Sequence, residues 1–368
     1  MGLVFIASYL AMRLLETNKD VQVVLFDCNP DMRRITGFNK GPSDPQDPKY
    51  DPKDRYNTVA DRVTFVQGDL ALLSHVLAVF DKHEPTSVFH LGALLSAGAD
   101  ANPTLGFDVD LLGTRHVFEA ARIYCQHNKK PPVRVLFPST IASFGLFPFT
   151  DPNDIHKLVV RPPKPEDKLV VPNEAIQLPT TMYGVSKVSV ERLGEHYHAK
   201  GWIDFWAVRF PSVVGAARGP GGTTAYSTLM IQEPLMDKAY EVYVSSDTRL
   251  DIIYVKDAVD ALIRLHDAKD LKLRRVYNIA GIRIGGEAPQ ASDIAAAVKL
   301  VKPNAAAITY KQNDQLTAIV HTFGILDAKA TYDDLQWAGP TFDLKQTIID
   351  CKSEIDQYPG RIKAIELY

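Results

Sequence analysis

The sequence has few cysteines, no long hydrophobic run and almost no excess of charge of either sign. Its 368 residues include three cysteines and carry a formal net charge of -3. Cys28, Cys125 and Cys351 are odd in number and widely spaced, so they predict neither a disulfide framework nor a metal site. This cysteine usage indicates a reducing compartment, and we expect a cytoplasmic protein without a bound metal.

The same absences exclude two classes of partner. A near-neutral charge balance gives no basic surface of the kind that binds nucleic acid or an acidic membrane. No apolar run is long enough to span a bilayer. The apolar start of the chain has Arg13 and Glu16 at helical spacing, which predicts an amphipathic helix rather than a signal peptide. We therefore expect a small-molecule substrate, with no nucleic acid and no membrane.

The sequence does contain a regular alternation of strand and helix patterns. Residues 21–26, for example, form an apolar run, interrupted only by Gln22, that is typical of a strand buried on both faces. The alternation predicts an α/β fold with a doubly wound parallel sheet over residues 1–210. That segment is interrupted by insertions rich in proline and charge, 38–58 and 147–179. Residues 211–368 have a mixed pattern that predicts a smaller α/β substrate-binding subdomain.

Tyr183 and Lys187 lie four residues apart, on one face of a predicted helix. A free tyrosine has a pKa of about 10, and a nearby ammonium lowers that pKa by favouring the phenolate. A tyrosine tuned in this way can act as general acid or base between a hydroxyl and a carbonyl. An isolated Tyr-x-x-x-Lys usually marks an exposed helix face, so the interpretation depends on the rest of the chain.

Two aspartates follow predicted strands. An acidic residue such as Asp27 at the end of a second strand accepts hydrogen bonds from adenosine ribose hydroxyls and disfavours a 2′-phosphate. The alternative is an aspartate that forms a turn. Asp69, in Gly68-Asp69-Leu70, either caps the next helix or binds an adenine amino group. Asp27 favours NAD over NADP, although Arg33 and Arg34 keep NADP open.

Two further segments with small or hydroxyl side chains follow later strands, where open α/β sheets bind ligands. In the segment 90–96, small residues let the backbone approach a cofactor, and Ser96 faces the substrate space. His90 itself is better interpreted as a packed core residue than as a catalyst. In the segment 138–145, a hydroxyl opposite Tyr183 could hold a substrate oxygen; the alternative is a serine- and threonine-rich turn.

In this order and spacing, these features resemble the extended short-chain dehydrogenase/reductase superfamily over nearly the whole chain. The matching residues are Asp27, Gly68-Asp69-Leu70, His90-Leu91-Gly92-Ala93, Gly113-Thr114, Ser139-Thr140, Phe144-Gly145, Tyr183, Lys187 and Arg209-Phe210-Pro211. The resemblance implies a Rossmann-type domain, bound NAD(H), and a homodimer formed by the long helices 106–127 and 181–200. Asp110 stands where many members have asparagine.

The resemblance also implies roles for individual residues. It makes Thr140, Tyr183 and Lys187 the catalytic set, with Ser139 as the alternative to Thr140. It implies a cofactor site formed by Gly2, Phe5, Ile6, Asp27, Asp69, Leu70, Leu91, Gly92, Ala93, Tyr183, Lys187 and Phe210. It implies a substrate site formed by Ser96, Ser139, Thr140, Thr223 and Arg249.

Two branches of the superfamily share segments with the chain. The segments 138–145 and 219–226 look like L-threonine 3-dehydrogenases, whereas 231–235 with 247–249 looks like D-erythronate dehydrogenases. Both relatives oxidise a secondary alcohol of a small carboxylate. Arg249 suits a carboxylate or a diphosphate equally, so a nucleotide-sugar epimerase with retained NAD is the alternative function. The alternative role for Arg249 is a surface salt bridge.

The start of the chain departs from the family pattern. The family begins with a strand and a Gly-x-x-Gly-x-x-Gly turn that brings a helix N-terminus to the pyrophosphate. Here the first strand and first glycine are missing; Gly2 follows the missing position, and Val4 and Ala7 replace the later glycines. Three explanations are open: a misassigned start, a trimmed chain, or a non-catalytic homologue that keeps the fold.

Overall fold

The secondary structure alternates between strands and helices along most of the chain. The computed structural model describes residues 3–29, 32–164, 167–269 and 274–363. Its strands are β1 (Val23–Asp27), β2 (Val63–Gln67), β3 (Ser87–Phe89), β4 (Arg134–Thr140), β5 (Phe147–Asp151), β6 (Asp154–Arg161), β7 (Val170–Val171), β8 (Asp204–Phe210), β9 (Ser212–Val214), β10 (Tyr240–Val242), β11 (Ile252–Tyr254), β12 (Val276–Asn278), β13 (Ile308–Tyr310) and β14 (Ile325–Leu326).

The helices are α1 (Leu3–Thr17), α2 (Arg33–Thr36), α3 (Leu73–His83), α4 (Ser96–Ala101), α5 (Pro103–Gly106), α6 (Gly113–Asn128), α7 (Met182–Ala199), α8 (Tyr226–Leu235), α9 (Val255–Asp267), α10 (Ala291–Val301), α11 (Asp314–His321), α12 (Lys329–Leu335), α13 (Leu344–Gln357) and α14 (Pro359–Lys363). A π-helical turn spans Phe107–Leu112. Within the described ranges, no helix is both long enough and apolar enough to cross a membrane.

Four strands form the main sheet, in the order β3–β4–β8–β12, and all are parallel. Strands β1 and β2 form a separate parallel pair. In the described part of the chain, no strand lies between β1 and β3 to join the two sheets by backbone hydrogen bonds. Strand β12 comes from the segment 211–368, so that segment contributes directly to the main sheet.

Helices cover both faces of this sheet, as the sequence predicts. Along β4, Val135 and Phe137 belong to one buried cluster, with residues of α3, α6 and α7. The intervening Leu136 belongs to a second buried cluster, which includes Met12 of α1 and Leu262 of α9. Because successive side chains of a strand point to opposite faces, α3, α6 and α7 cover one face and α1 and α9 the other. The doubly wound α/β prediction is confirmed.

The structure differs from the predicted elements in two places. The helix predicted over 106–127 is interrupted by the π-helical turn Phe107–Leu112 before α6 begins. Here the Thr114 hydroxyl donates to the Asp110 carbonyl at 2.6 Å, and such turns are frequent at functional sites. The insertion 147–179 contains the β5–β6 hairpin, and its strand β7 pairs with β14.

A buried ionic network fixes α7 against the main sheet. The Glu191 carboxylate receives hydrogen bonds from Arg209 of β8 at 2.7–3.1 Å and from the Ser139 hydroxyl of β4. Burial alone would raise the pKa of Glu191, but the Arg209 guanidinium and the hydrogen bonds lower it below the usual value. Breaking such a pair leaves an uncompensated buried charge, which is strongly unfavourable.

Replacement of Glu191 by alanine should therefore lower the free energy of unfolding by about 3–5 kcal/mol. Glu195 provides the control, because it lies one turn further along α7 and pairs at 2.8 Å with Arg192, which is half exposed. Glu195→Ala should cost less than about 1 kcal/mol. Urea denaturation of the two variants measures both values, and equal losses would show that the buried network does not hold α7.

Candidate active site

A cavity opens beyond the carboxyl ends of β4 and β8. Its wall is formed by Phe5, Ile6, Leu95, Ser96, Pro138, Ser139, Thr140, Ile141, Ala142, Tyr183, Phe210, Pro211, Ser212, Val213, Arg218, Gly222, Thr223, Thr224 and Phe323. These residues come from both halves of the chain. The carboxyl ends of parallel strands are where open α/β sheets bind ligands, so this cavity is the candidate active site.

Many residues predicted for the site lie together in this wall. They are Phe5 and Ile6 of α1, Thr140 with Ser139, Tyr183, Phe210, Ser96 and Thr223. The other predicted cofactor residues, Asp27, Asp69, Leu70, Leu91, Gly92 and Ala93, lie at or after the ends of β1, β2 and β3. Neither they nor the predicted catalytic residue Lys187 line the cavity. Gly2 lies outside the described residues.

Tyr183 is placed by the close packing of the start of α7 on the end of β4. The Thr181 hydroxyl caps the helix by accepting a hydrogen bond from the Gly184 amide at 3.1 Å. A Cβ atom at Gly184 would lie 2.2 Å from the Ala142 carbonyl oxygen, so only glycine permits this approach. One turn later, the Lys187 ammonium donates to the Pro138 carbonyl at 2.8 Å.

The electrostatics of the pair differ from the sequence prediction. Burial raises the pKa of Tyr183, the Asp110 carboxylate raises it further, and the Arg218 guanidinium opposes the rise. Lys187 is itself desolvated, and burial lowers its pKa to about 8, against the opposing effect of Asp110 and Glu191. Its ammonium lies 4.2 Å from the centre of the Phe137 ring and 5.3 Å from that of Tyr183. The predicted lowering of the Tyr183 pKa by Lys187 is therefore not observed.

The two adjacent hydroxyls at the end of β4 have different partners. The Ser139 hydroxyl donates to Glu191 and is buried. The Thr140 hydroxyl accepts a hydrogen bond from the Ala142 amide at 3.1 Å, which leaves its own proton available toward the cavity. Of the two, Thr140 is the residue whose hydroxyl can donate to a bound oxygen.

The aspartates at the end of β1 and just after β2 both close local turns. One carboxylate oxygen of Asp27 accepts from the Asn29 amide at 2.8 Å, and one of Asp69 accepts from the Ala71 amide at 2.9 Å. Asp69 does not cap a helix, since α3 begins only at Leu73 without a side-chain cap. A carboxylate has about four acceptor positions, so these turns leave Asp27 and Asp69 able to accept further hydrogen bonds.

Arg249 lies away from the cavity wall. Its guanidinium forms an ion pair with Glu287 at 2.5 Å and donates to the Ala288 carbonyl at 2.7 Å. The side chain is 42% exposed. The structure thus places Arg249 in the surface salt bridge that was the alternative to a substrate contact.

The cationic residue in the cavity is instead Arg218, which the sequence analysis did not identify. One terminal nitrogen donates to the Val213 carbonyl at 2.9 Å, and no carboxylate of the described residues pairs with this guanidinium. Burial lowers the pKa of Arg218 to about 10, opposed by Tyr243 and Tyr183, so it stays charged at neutral pH. The sequence feature that could have identified Arg218 as a site residue is its position directly before the glycine-rich segment 219–222.

Residues 5–280 match the NAD dependent epimerase/dehydratase family, which is three quarters of the chain. The chain belongs to this family. Among curated proteins, it is 33% identical over 210 residues to an uncharacterized epimerase/dehydratase of Staphylococcus haemolyticus, covering 56% of this chain and 58% of the relative. A Staphylococcus aureus relative is 34% identical over 207 residues, covering 55% and 57%. The chain thus spans little more than half the length of these relatives.

Solved structures of the family share the fold. The L-threonine dehydrogenase of Clostridium difficile superposes with a TM-score of 0.73 at 23% identity, covering 98% of this chain and 95% of that one. That of Phytophthora infestans gives 0.69 at 26% identity, covering 90% and 98%. UDP-glucose 4-epimerase of Thermotoga maritima gives 0.70 at 19% identity, covering 96% of both chains.

The family implies a nicotinamide cofactor, and the cavity has donors that fit one end of it. Tyr183 lies in the cavity wall with the apolar side chains of Phe5, Ile6 and Phe210, and Lys187 is buried one helical turn further along α7. This combination suits a flat, partly apolar ring with a hydroxylated sugar. Among the described residues, no group of three or more His, Cys, Asp or Glu could hold a metal ion.

The unneutralised charge of Arg218 predicts that small carboxylates bind in the cavity. Excess 3-hydroxybutyrate should raise the melting temperature of the wild type; at a hundred times the dissociation constant, the gain is about 2.7 kcal/mol. Arg218→Gln should lose the shift, because the carboxylate then has no cation to pair with. Arg249→Gln, which removes an arginine outside the cavity, should retain it. Equal melting-temperature shifts in the wild type and Arg218→Gln would show that the carboxylate does not bind at Arg218.

Proposed function

We propose that the protein is an NAD-dependent oxidoreductase that oxidises a secondary alcohol of a small carboxylate. The observation that carries this proposal is the presence of Arg218 and Tyr183 in the wall of one cavity. An arginine fork binds a carboxylate in bidentate fashion, and it would hold the substrate with a hydroxyl near the tyrosine. The L-threonine dehydrogenase structures of the same fold support a substrate of this size.

The side chains in the cavity wall, and Lys187 one helical turn beyond Tyr183, then take distinct roles. Tyr183 accepts the proton of the substrate hydroxyl, or donates it in the reverse direction. Thr140 donates a hydrogen bond to the substrate oxygen and orients it. Lys187 bonds a ribose hydroxyl of the cofactor and contributes positive charge. Ser96 and Thr223, which lie 3.4 Å apart through their hydroxyl oxygens, bond further hydroxyls of the substrate.

The cofactor in this proposal is NAD rather than NADP. Bound nicotinamide supplies the hydride acceptor or donor. Asp27 would bind the adenosine ribose and Asp69 the adenine, each through the acceptor positions that its local turn leaves open. Leu70, Leu91, Gly92 and Ala93 would lie between these aspartates and the cavity, and Gly92 is packed closely enough that a Cβ would meet Leu70 at 2.6 Å.

The cavity favours a hydroxy acid over an amino acid. Among the described residues that line it, none is an aspartate or glutamate, so an α-ammonium group would have no carboxylate partner. Hydroxyl groups, by contrast, find Ser96, Thr223 and Thr224 in the wall. Burying an unpaired ammonium is costly, which argues against L-threonine as the preferred substrate.

A dehydrogenase screen tests this function. With NAD present, short hydroxy acids should produce NADH absorbance, and L-threonine should react at least about tenfold less efficiently, the effect of about 1.4 kcal/mol. UDP-glucose is the control for the alternative epimerase, which interconverts sugars without net NADH. Epimerised sugar without released NADH would favour that alternative, and a preference for L-threonine would contradict the hydroxy-acid assignment.

Replacement of Tyr183 by phenylalanine should lower kcat at least about a hundredfold, because general acid–base catalysis contributes this much or more. Cofactor affinity, measured by NADH fluorescence, should change little. Tyr243→Phe is a matched control, because Tyr243 does not line the cavity and its hydroxyl donates to the Thr223 carbonyl at 2.7 Å. Near-normal turnover in Tyr183→Phe would show that Tyr183 is not the general acid or base.

The raised pKa of Tyr183 predicts a different pH dependence for each direction of the reaction. Oxidation needs the phenolate, so its kcat/KM should rise about tenfold per pH unit between pH 6 and 8, below the pKa of about 8 at which Lys187 loses its charge. Reduction uses the neutral phenol and should stay nearly constant over the same range. Initial rates in both directions measure this, and a flat oxidation profile would indicate another base.

A further inference from the structure

The buried carboxylate of Asp110 belongs to a turn that packs against α7, the helix that carries Tyr183 and Lys187. It lies in the π-helical turn Phe107–Leu112 and is only 3% exposed. Its Oδ1 atom accepts a hydrogen bond from the Leu94 amide at 2.7 Å. Its Oδ2 atom is buried, and no atom of the described residues bonds to it. A buried carboxylate oxygen without a partner is unfavourable. A proton on this oxygen, or a positive charge nearby, would stabilise it.

Among the described residues, the elements packed against this turn direct one positive charge at Asp110, because Arg115 of α6 is exposed to solvent. Helix α7 contributes Lys187, together with the neutral phenol of Tyr183. Helix α5 has no titratable side chain, and Asp108 is the other acid of the turn itself.

Neutral groups complete the surroundings of Asp110. From α6, the Thr114 hydroxyl bonds the Asp110 carbonyl oxygen, and Nε2 of His90 lies 2.8 Å from that hydroxyl. Burial lowers the pKa of His90 to about 3, so this imidazole is neutral. Among the described neighbours, Lys187 is therefore the cation that can act on the Asp110 carboxylate.

The three groups influence one another. Burial raises the pKa of Asp110, and the Lys187 ammonium opposes this rise. In return, the Asp110 carboxylate raises the pKa values of Tyr183 and Lys187. Ionised Asp110 thus stabilises the ammonium and disfavours the phenolate, whereas neutral Asp110 leaves the positive charge uncompensated.

We propose that Asp110 is a positioning residue for the Tyr183–Lys187 pair, and that its protonation state sets the net charge beside the phenol. This inference rests on the proposed role of the pair in proton transfer. The unbonded Oδ2 atom is the place where Asp110 gains a proton from water or loses it. An asparagine at this position would keep the shape and the Leu94 hydrogen bond but would have no charge to titrate.

The charge of Asp110 can be followed without any substrate through its effect on the titration of Lys187. In protein labelled with ¹³C at lysine Cε, the Lys187 signal is assigned by its loss in Lys187→Arg. Asp110→Asn should lower the titration midpoint of Lys187 by at least about 0.5 pH unit, because a stabilising anion is removed. Asp108→Asn, which removes a like charge from the same turn, should change it by less than about 0.2 unit.

A second measurement uses the wild-type protein alone, so it does not depend on how well a variant folds. The Lys187 signal should show a smaller inflection on the acid side, at a pH above the usual aspartate range, where Asp110 takes up its proton because burial raises its pKa. Loss of that inflection in Asp110→Asn supports the proposal. An unchanged midpoint, or no inflection in the wild type, overturns it. Because no turnover is involved, an intact coupling in a protein that fails every dehydrogenase assay would contradict the proposed function alone.

Discussion

The contact between the first turns of α7 and the carboxyl end of β4 is the constraint on which the candidate site depends. Gly184 lets the helix approach the Ala142 carbonyl, and Lys187 donates to the Pro138 carbonyl. Glu191, one turn further, binds the Ser139 hydroxyl and Arg209. Three successive helical turns are thus bonded or packed to the same strand end, and this places Tyr183 and Thr140 in the wall of one cavity.

The same contact explains why the charges of the site are unusual. Packing α7 directly on the sheet removes Lys187 from water, and the low pKa of about 8 follows from that burial. Burial also holds the Tyr183 phenol in its neutral form. Arg218, from the loop beyond β9, is the cation that faces Tyr183 and lowers its pKa. A desolvated cation in the cavity wall beside a neutral phenol suits an anionic substrate whose charge offsets it.

Much of the fold could be predicted because its signals are local. Buried runs and helical spacing determine strands and helices over a few residues, and the parallel arrangement then places strand ends together. This is why Thr140, Tyr183, Ser96 and Thr223 were all predicted for one site and all line one cavity. The π-helical turn escaped prediction because its sequence has the same apolar spacing as an ordinary helix.

The choice between two arginines could not be made from the sequence. Arg218 and Arg249 both follow strands in the mixed second half, and each has the same chemistry toward a carboxylate. Long-range packing distinguishes them. Arg249 forms an ion pair with Glu287 at the surface, whereas Arg218 donates a hydrogen bond to the Val213 carbonyl beside the cavity. The orphaned oxygen of Asp110 is likewise visible only once α7 and the loop 90–95 surround it.

The most direct test of this account is a crystal structure of the protein with a bound short hydroxy acid such as 3-hydroxybutyrate. We predict that the carboxylate lies on the Arg218 guanidinium at about 2.7–2.9 Å, with the substrate hydroxyl within hydrogen-bond reach of Tyr183 and Thr140. A carboxylate bound at Arg249, or a hydroxyl that faces away from Tyr183, would contradict the assignment of this cavity as the site of oxidation.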